Sequence, residues 1–460
     1  MISDTIAAIA TAPGEGGIGI IRVSGQDSWS IVDKFFKVKK GVPLIERTSH
    51  TINYGHFNNE QGQVIDECLV SVMRGPKTFT GEDVVEINCH GSYLALQQIL
   101  KVLLVNGIRL AEAGEFSKRA FLNGRIDLAQ AESIIDIIRA KTEDGLHFAI
   151  NQLQGVLSKE IESMRKKLLG LLAIFEANID FPEEDVPPIN YTHVKDTIVP
   201  IIKEVDKLLA TWDEGKIYRE GLKTVIIGRP NVGKSSLLNL LVKDERAIVT
   251  DIPGTTRDVI EEIINIGGIP LRIIDTAGIR KAMDEVEKIG VEKSISLIDN
   301  ADLILYVIDA TLPLSNDDEA IFQRIATKNV VFLLNKIDLP QNHDTIKEVN
   351  SLAATKPIIK ISAKEKLGIE KLTNTIKDLV YSGKARISEH PTITNSRHYA
   401  ALKQANQHLH GIIEGVEGNL PVDFLSIDLT SSYEKFGEVT GSTVGEDVID
   451  QIFSEFCIGK

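Results

Sequence analysis

"GLKTVIIGRPNVGKSSLLNLL", residues Gly221–Leu241, sets a short β-branched run against a glycine turn and an amphipathic helix. Within it, "GRPNVGKS" (Gly228–Ser235) has the spacing G-x-x-x-x-G-K-[ST]. The glycines let backbone N–H groups wrap phosphates. Lys234 is the group that reaches the β- and γ-phosphates, and the Ser235 hydroxyl suits Mg2+. A helix opening here turns its positive dipole end toward the anion. The strand pattern before the loop and the helix pattern after it supply the context that a chance match lacks.

Four ordered companions follow. "DTAG" (Asp275–Gly278) closes an apolar run; Asp275 suits Mg2+ through water, and the Gly278 N–H can sense a γ-phosphate. "NKID" (Asn335–Asp338) closes another. The Asp338 carboxylate can accept from guanine N1–H and N2–H2, a donor pair that adenine lacks, so the nucleotide expected is GTP. "SAK" (Ser362–Lys364) offers a backbone N–H to guanine O6, and "GTTRD" (Gly254–Asp258) supplies a switch threonine. The candidate GTP contacts are Asn231, Val232, Gly233, Lys234, Ser235 and Ser236 in the first loop. Asp275, Thr276, Ala277 and Gly278 follow, then Asn335, Lys336 and Asp338, then Ser362, Ala363 and Lys364.

Ras-like GTPases carry a glutamine directly after DTAG to orient the attacking water. Here that position is Ile279, which has no polar group for the task. Glu287, in "KAMDEVEKIG", is a candidate replacement; it also reads as a solvated carboxylate in an acidic run with Asp284 and Glu285. Arg257 and Arg280 are candidate arginine fingers, although switch-region arginines are more often surface charges.

Around this centre, "LRIID" (Leu271–Asp275), "ADLILYVIDA" (Ala301–Ala310), "NVVFLLNKID" (Asn329–Asp338) and "KPIIKISAK" (Lys356–Lys364) are apolar throughout rather than alternating. Such runs predict a mostly parallel sheet covered on both faces. The flanks are helix-periodic, from about Phe116 to Trp212 and again after about Gly383, with "DFPEEDVPPIN" breaking the first as a loop. The first stretch differs: "IGIIRVSG", "TINYGHF", "IDECLVSVMRGP" and "EDVVEINCHGS" are short strand-like runs, and a helix is predicted near Tyr93–Asn106. The fold class expected is multidomain α/β. A G domain over 216–382 is inserted in an all-α domain (119–215 plus 383–460), preceded by an α+β domain over 1–118.

With 43% hydrophobic and 25% charged residues, the chain has ordinary globular values and can bury sizeable cores. Cys68, Cys89 and Cys457 form no CxxC pair, which argues against a disulfide framework or structural zinc and fits a reducing cytoplasm. "MISDTIAAIATAPGEGG" lacks the charged start of a signal peptide, and no apolar run reaches the roughly 18–20 residues that span a bilayer. A net charge of −14 disfavours bulk nonspecific RNA binding but leaves room for a local basic patch.

The set "GRPNVGKSSLLN", "TDIPGTTRD", "DTAGIR" and "SAK", with the helical flanks and the tail "FCIGK", resembles the MnmE (TrmE) family of tRNA modification GTPases. "TFTGEDVVE" (Thr78–Glu86), "GEFSKRAFLNGRIDLAQAE" (Gly114–Glu132) and "IDFPEED" (Ile179–Asp185) also match, outside the generic GTPase motifs, so the resemblance spans the chain. It implies a cytoplasmic homodimer joined through the N-terminal domain, working with the FAD-dependent partner MnmG (GidA) as a heterotetramer. FAD enters only through that partner. The pair would add an aminomethyl or carboxymethylaminomethyl group to C5 of the wobble uridine of certain tRNAs. The one-carbon unit would come from a tetrahydrofolate, in the 5,10-methylene or 5-formyl form, against Arg22, Glu82, Arg125 and the terminal Lys460.

The resemblance also implies K+ in place of an arginine finger. Its ligands would be Asn231 and the backbone of Thr250, Ile252 and Thr255, in a loop whose Asp251, Pro253 and Gly254 border the nucleotide. Thr256 would join Ser235 on Mg2+. Lys234 would act on the phosphates, and Glu287 would position the catalytic water. Two other readings compete: a ribosome-assembly or RNA-binding switch of the Era or EngA type, and a membrane-linked GTPase. The first usually appends an RNA-binding domain or a second G domain, and the second needs an anchor; neither pattern is visible here. Cys457 reads on its own as a small apolar residue closing a helix. The resemblance makes it a functional residue beside the folate pocket of this subunit or its partner. The helix before it, with Val448, Ile449, Ile452, Phe453 and Phe456 at helical spacing, is expected to dock and carry the tail with it.

Overall fold

The computed structural model describes residues 4–180, 189–244, 262–274, 298–381 and 391–460. They form two compact units: residues 1–135, 152–197 and 407–460, and residues 136–151 and 198–406.

The first unit opens with β1 (Ile6–Ile9), β2 (Gly16–Ser24), α1 (Ser28–Phe35), β3 (Phe36–Val38), β4 (Thr51–Asn58), β5 (Val64–Met73), β6 (Val84–Gly91), α2 (Tyr93–Val105) and β7 (Arg109–Leu110). The strands make one sheet in the order β3-β4-β5-β6-β2-β1-β7, antiparallel except for β1 against β7. Alternation decides its faces. Ile21, Val23, Val70, Val72, Val85 and Ile87 point to one side, where Trp29, Val32, Ile99 and Leu103 of α1 and α2 close the core. Arg22, Ser24 and Glu86, one residue out of phase, therefore lie on the opposite side.

Helices follow: α3 (Glu115–Leu122), α4 (Leu128–Arg139), α5 (Glu143–Leu153), α6 (Val156–Asp180), α7 (Tyr191–Leu209) and α8 (Trp212–Glu220). The second sheet is built from β8 (Leu222–Ile227), β9 (Glu262–Ile266), β10 (Ile269–Ile273), β11 (Leu303–Asp309), β12 (Val330–Asn335) and β13 (Ile358–Lys360). Helices α9 (Lys234–Asp244), α10 (Asn316–Ile325), α11 (His343–Ala353) and α12 (Ile369–Tyr381) lie between and after these strands. The strand order is β13-β12-β11-β8-β10-β9, parallel except for the β9–β10 hairpin. Both faces are covered, as the unalternating runs require. Leu303, Leu305 and Val307 join Leu237 and Leu241 of α9 and Leu372 and Ile376 of α12. Ile304, Tyr306 and Ile308 join Phe322 of α10 and Val349 of α11. The chain ends in α13 (Ser396–Glu417), α14 (Val422–Thr440) and α15 (Glu446–Ser454).

This is the expected class: an α+β N-terminal portion, a long helical stretch, and a mostly parallel P-loop sheet interrupting that stretch in sequence. Ile449 and Phe453 of α15, with Phe456 just after it, are buried against Leu128, Ile134 and Ile135 of α4, and Ile452 is partly buried beside them. Val448 departs from the expected docking face and is 43% exposed. The packing stripe is one residue narrower than its apolar pattern. No helix among the described residues is long and apolar enough to cross a membrane.

Ile87 is fully buried at the centre of the first sheet. Truncation to alanine should cost about 2–5 kcal/mol, the usual range for a core site that cannot collapse. In a Trp212→Phe background, where Trp29 in the same core is the remaining tryptophan, Ile87→Ala should lower the urea midpoint of the fluorescence transition. An unmoved midpoint would show that this sheet does not carry the unit's cooperativity.

Candidate functional site

The nucleotide end of the second sheet lies at the carboxyl ends of its parallel strands, where β8 turns into α9 between neighbours β11 and β10. That is a topological switch point, the usual ligand crevice of such sheets. Two glycines here answer to contacts. At Gly228 (φ 148°) a Cβ would come within 2.2 Å of the Val307 carbonyl, and at Gly233 (φ 104°) within 2.2 Å of the Asn335 amide nitrogen. Asn231 also holds a positive φ, 62°. Lys234 Nζ donates to the carbonyls of Gly228 and Arg229 at 2.8 and 2.7 Å, spanning the loop from the first turn of α9. Ser235 and Ser236 stand exposed in that same turn.

The base-reading end is held by side chains. Asn335, 2% exposed, donates from Nδ2 to the Val232 carbonyl at 2.7 Å, and its Oδ1 accepts the Ala363 N–H at 3.0 Å. The β12 end, the phosphate loop and the SAK loop are thereby fixed to one another. Of the backbone N–H groups in the SAK stretch, that of Ala363 is engaged inside the protein. Asp338 is exposed and accepts from the Ser362 hydroxyl at 2.6 Å. That bond, ahead of the Lys364 and Lys336 charges, holds the carboxyl below its ordinary range and keeps it an acceptor. Lys336, with φ 66°, reaches the buried Asp309 at 2.6 Å. Burial pushes Asp309 up, but the Lys336 ammonium and the Thr311 hydroxyl and N–H outweigh it and hold the group ionised. An ionised acceptor beside a phosphate loop that is tied to the base-reading loop suits a guanine nucleotide.

Thr250, Asp251, Ile252, Pro253, Gly254, Thr255, Thr256, Arg257, Asp275, Thr276, Ala277, Gly278, Arg280 and Glu287 lie outside the described residues.

The first unit holds a second cluster. Arg22 on β2 pairs with Glu86 at 2.9 Å, donates to the Gly459 carbonyl at 3.2 Å, and lies 5.6 and 5.7 Å from the rings of Phe79 and Phe116. Two residues on, Ser24 donates to Glu82 at 2.7 Å. The other side of Glu82 faces Arg119 Nη1, 3.2 Å from each carboxylate oxygen. Arg119 is 1% exposed and also reaches Asp4 at 2.7 Å and Glu115 at 2.9 Å. Burial pushes Glu115 up, but Arg109, the Glu112 N–H and Arg119 together bring it below its usual range.

The tail joins this cluster within one chain. Gly114 N–H donates to the Cys457 carbonyl at 3.4 Å, Ala113 and Ile458 form a β-bridge, and Gly459 (φ 91°) packs so tightly that a Cβ would lie 2.4 Å from the Ile9 carbonyl. Cys457 is exposed and Lys460 half-buried.

Arg22, Glu82 and the tail therefore come together. Arg125 stands at the far end of α3, exposed, lining a separate groove. The residue that sequence reasoning missed is Arg119. Its only local signal is the i,i+4 pairing with Glu115, and Asp4 and Glu82 reach it from distant segments. Burial pushes the Cys68 thiol up to about 12 and the Cys89 thiol to about 11, with Asp66 adding to each, so neither is a nucleophile at neutral pH.

Two family models match the chain one after the other: "GTP-binding protein TrmE N-terminus" over residues 5–125 and "MnmE helical domain" over residues 128–457. Among curated proteins, the chain is 54% identical over 461 residues to "tRNA modification GTPase MnmE" of Desulforamulus reducens, with all of both chains covered. It is 51% identical to the protein of that description from Thermoanaerobacter pseudethanolicus, again with full coverage. It is 50% identical to that from Geobacillus thermodenitrificans, with 99% of each chain covered.

Asp338→Asn replaces an acceptor with a donor where guanine presents its N2 amine. GTP affinity should fall by at least about 100-fold, because a site built to pair polar edges rejects a mismatch strongly. Xanthosine triphosphate, which carries an oxygen at that position, should bind the variant better than GTP. Fluorescent nucleotide titration checks both, and unchanged GTP affinity would remove Asp338 from base recognition.

Proposed function

The chain belongs to the MnmE family of tRNA modification GTPases, and from that premise we propose that its GTP cycle drives a one-carbon modification of the wobble uridine in tRNA. The observation that carries the GTP half is the Asn335 clasp, which fixes the phosphate loop to the base-reading loop while Asp338 stays ionised beside it. On this reading residues 216–382 hydrolyse GTP, residues 119–215 with 383–460 form the helical domain, and residues 1–118 hold the one-carbon donor.

Ser235 and Thr256 would ligate Mg2+, and Lys234 would neutralise the charge that builds on the transferred phosphoryl group. Asn231, with backbone oxygens of Thr250, Ile252 and Thr255, would hold K+, an oxygen set suited to a hard cation. Glu287 would orient the attacking water in place of the missing glutamine. The positive φ of Asn231 supports part of this, since it sets that side chain off from the helical turn that follows.

For the one-carbon donor, the Arg22–Glu82–tail cluster supports a tetrahydrofolate site. Glu82 is an anchored carboxylate that suits a ring presenting adjacent N–H and amino donors. Arg22, between two aromatic rings, offers a cation to a planar ligand. Lys460 and Cys457 reach the cluster with the docked tail, whereas Arg125, the remaining contact that the resemblance implies, lies on a separate groove. Cys457 is taken as a functional residue without an assigned step. The working unit would be a cytoplasmic homodimer joined through the N-terminal domain and paired with the flavoprotein MnmG.

Nucleoside analysis of tRNA from a strain lacking this gene should show the wobble uridine modification lost; a normal profile would overturn the assignment. Purified protein should turn over GTP at least about tenfold faster in K+ than in Na+ at equal ionic strength. That is a modest part of the roughly 10³–10⁵ that a cationic finger supplies. Equal rates would remove the ion from the mechanism.

A further inference from the structure

A groove of about 580 Å3 lies in the first unit between the α3–α4 connection, the start of α6 and the turn after α14. Arg125, Lys159 and Arg165 line it, with Asp127 and Glu162 as its acids. Both acids have partners, one of them a cation of the groove itself. Asp127 accepts the Gln130 N–H at 2.8 Å at the head of α4, and Glu162 sits 3.2 Å from Arg165. Among the described residues, the side chains of Arg125 and Lys159 make no hydrogen bond or ion pair, and both are exposed at the rim. Arg165 is 7% exposed, with its guanidinium 4.4 Å over the Tyr433 ring. Its Nε and the nearby Ser158 hydroxyl are buried without any hydrogen-bond partner.

The backbone adds the same sign. Gly155 (φ 76°) caps α6, its carbonyl accepting the Lys159 N–H at 3.0 Å. A glycine cap brings no side-chain oxygen, and the first turn of this 25-residue helix has no acid. The opening N–H groups of a helix have no intrahelical partner, and its dipole is positive at that end. Gly155, Ser158 and Lys159 place that end on the groove wall. Two uncommitted cations, an orphaned arginine donor and an uncapped helix start converge in a chain whose net charge is −14.

We propose that this groove grips a backbone phosphate of the RNA on which the enzyme acts, an inference that rests on the tRNA reading above. A broadly open groove with exposed cations at its rim suits a phosphodiester passing over it, with Arg125 as a two-pronged donor and Lys159 as a point charge. Its position fits the chemistry. Asn123, two residues before Arg125, donates to the Thr80 carbonyl at 2.7 Å and packs against Gly81, so the groove adjoins the loop that carries Glu82. A phosphate held here puts the RNA beside the proposed one-carbon site.

The test is fluorescence anisotropy of a labelled anticodon stem-loop RNA with the full-length protein across a KCl series. Lys159→Gln should weaken binding by about three- to tenfold and reduce the slope of log K against log salt by about 0.7–0.9, the share of one phosphate contact. Lys159→Arg should restore both. Ser158→Asp, which sets a carboxylate at the helix head beside the groove, should weaken RNA binding by competing for the donors a phosphate would take. GTP turnover should be unchanged in all of them, because none of these residues lies in the GTP site. Wild-type affinity and slope in Lys159→Gln would overturn the proposal. So would a variant that spares RNA but loses preference for triglutamyl over monoglutamyl tetrahydrofolate, which would make the groove a small-molecule carboxylate site. RNA binding absent from the wild type would overturn the tRNA reading as well, whereas binding that ignores the variants overturns the groove alone.

Discussion

Asn335 commits both ends of its carboxamide inside the protein, Nδ2 to the Val232 carbonyl and Oδ1 to the Ala363 N–H. Each bond joins segments far apart in sequence, and the residue is nearly fully buried, so leaving either group unpaired would cost its full desolvation. The clasp also explains Gly233. A side chain there would collide with the Asn335 amide, so the glycine is required by the neighbour as well as by the phosphate. Phosphate loop and base loop are thus tied to each other through one buried side chain.

Arg119 has the comparable position in the first unit, with a different balance. It and Arg109 face Asp4, Glu82 and Glu115, three carboxylates against two guanidiniums. Burial opposes ionisation of Asp4 and Glu115, yet hydrogen bonds from the arginines keep both below their usual range. The stabilisation these acids contribute is therefore present above their unfolded values and is lost as pH falls through the folded ones. Such a buried network is weak evidence for stability by itself. Its clearer consequence is geometric: it fixes Glu82 from behind, so that Ser24 and Arg119 set the carboxylate's direction before any ligand arrives.

What the sequence made legible follows from range. The P-loop, NKID and SAK motifs are local spacings in which a few adjacent residues decide the backbone, and the unalternating strands announce two covered faces. In the first sheet β2, β4, β5 and β6 were readable as strand-like runs; β1, whose "IAAI" carries no polar alternation, and the two- and three-residue strands β7 and β3 were not. Arg119 was not readable, because its partners come from residues 4, 82 and 115 and converge only after folding. The tail was half readable. Apolar spacing predicted that α15 docks, but the last residues are held by backbone groups of Ala113 and Gly114 and by the distant Arg22 side chain, none of which the local sequence shows. Val448 fits the apolar stripe and still faces solvent, since period alone does not fix how wide a stripe the neighbour covers.

A net charge of −14 would seem to exclude a polyanionic substrate. Screening limits that argument. At physiological salt the Debye length is about 8 Å, so charges beyond one or two side chains contribute little at a contact. What matters within that radius is which charges remain uncommitted. Around the groove the acids are taken up by a helix start and by Arg165, whereas Arg125, Lys159 and the head of α6 are not. The acidic remainder of the surface then serves specificity. On the proposed RNA reading it would keep nonspecific affinity low, leaving a phosphate to be held where the groove presents its donors, next to the loop bearing Glu82.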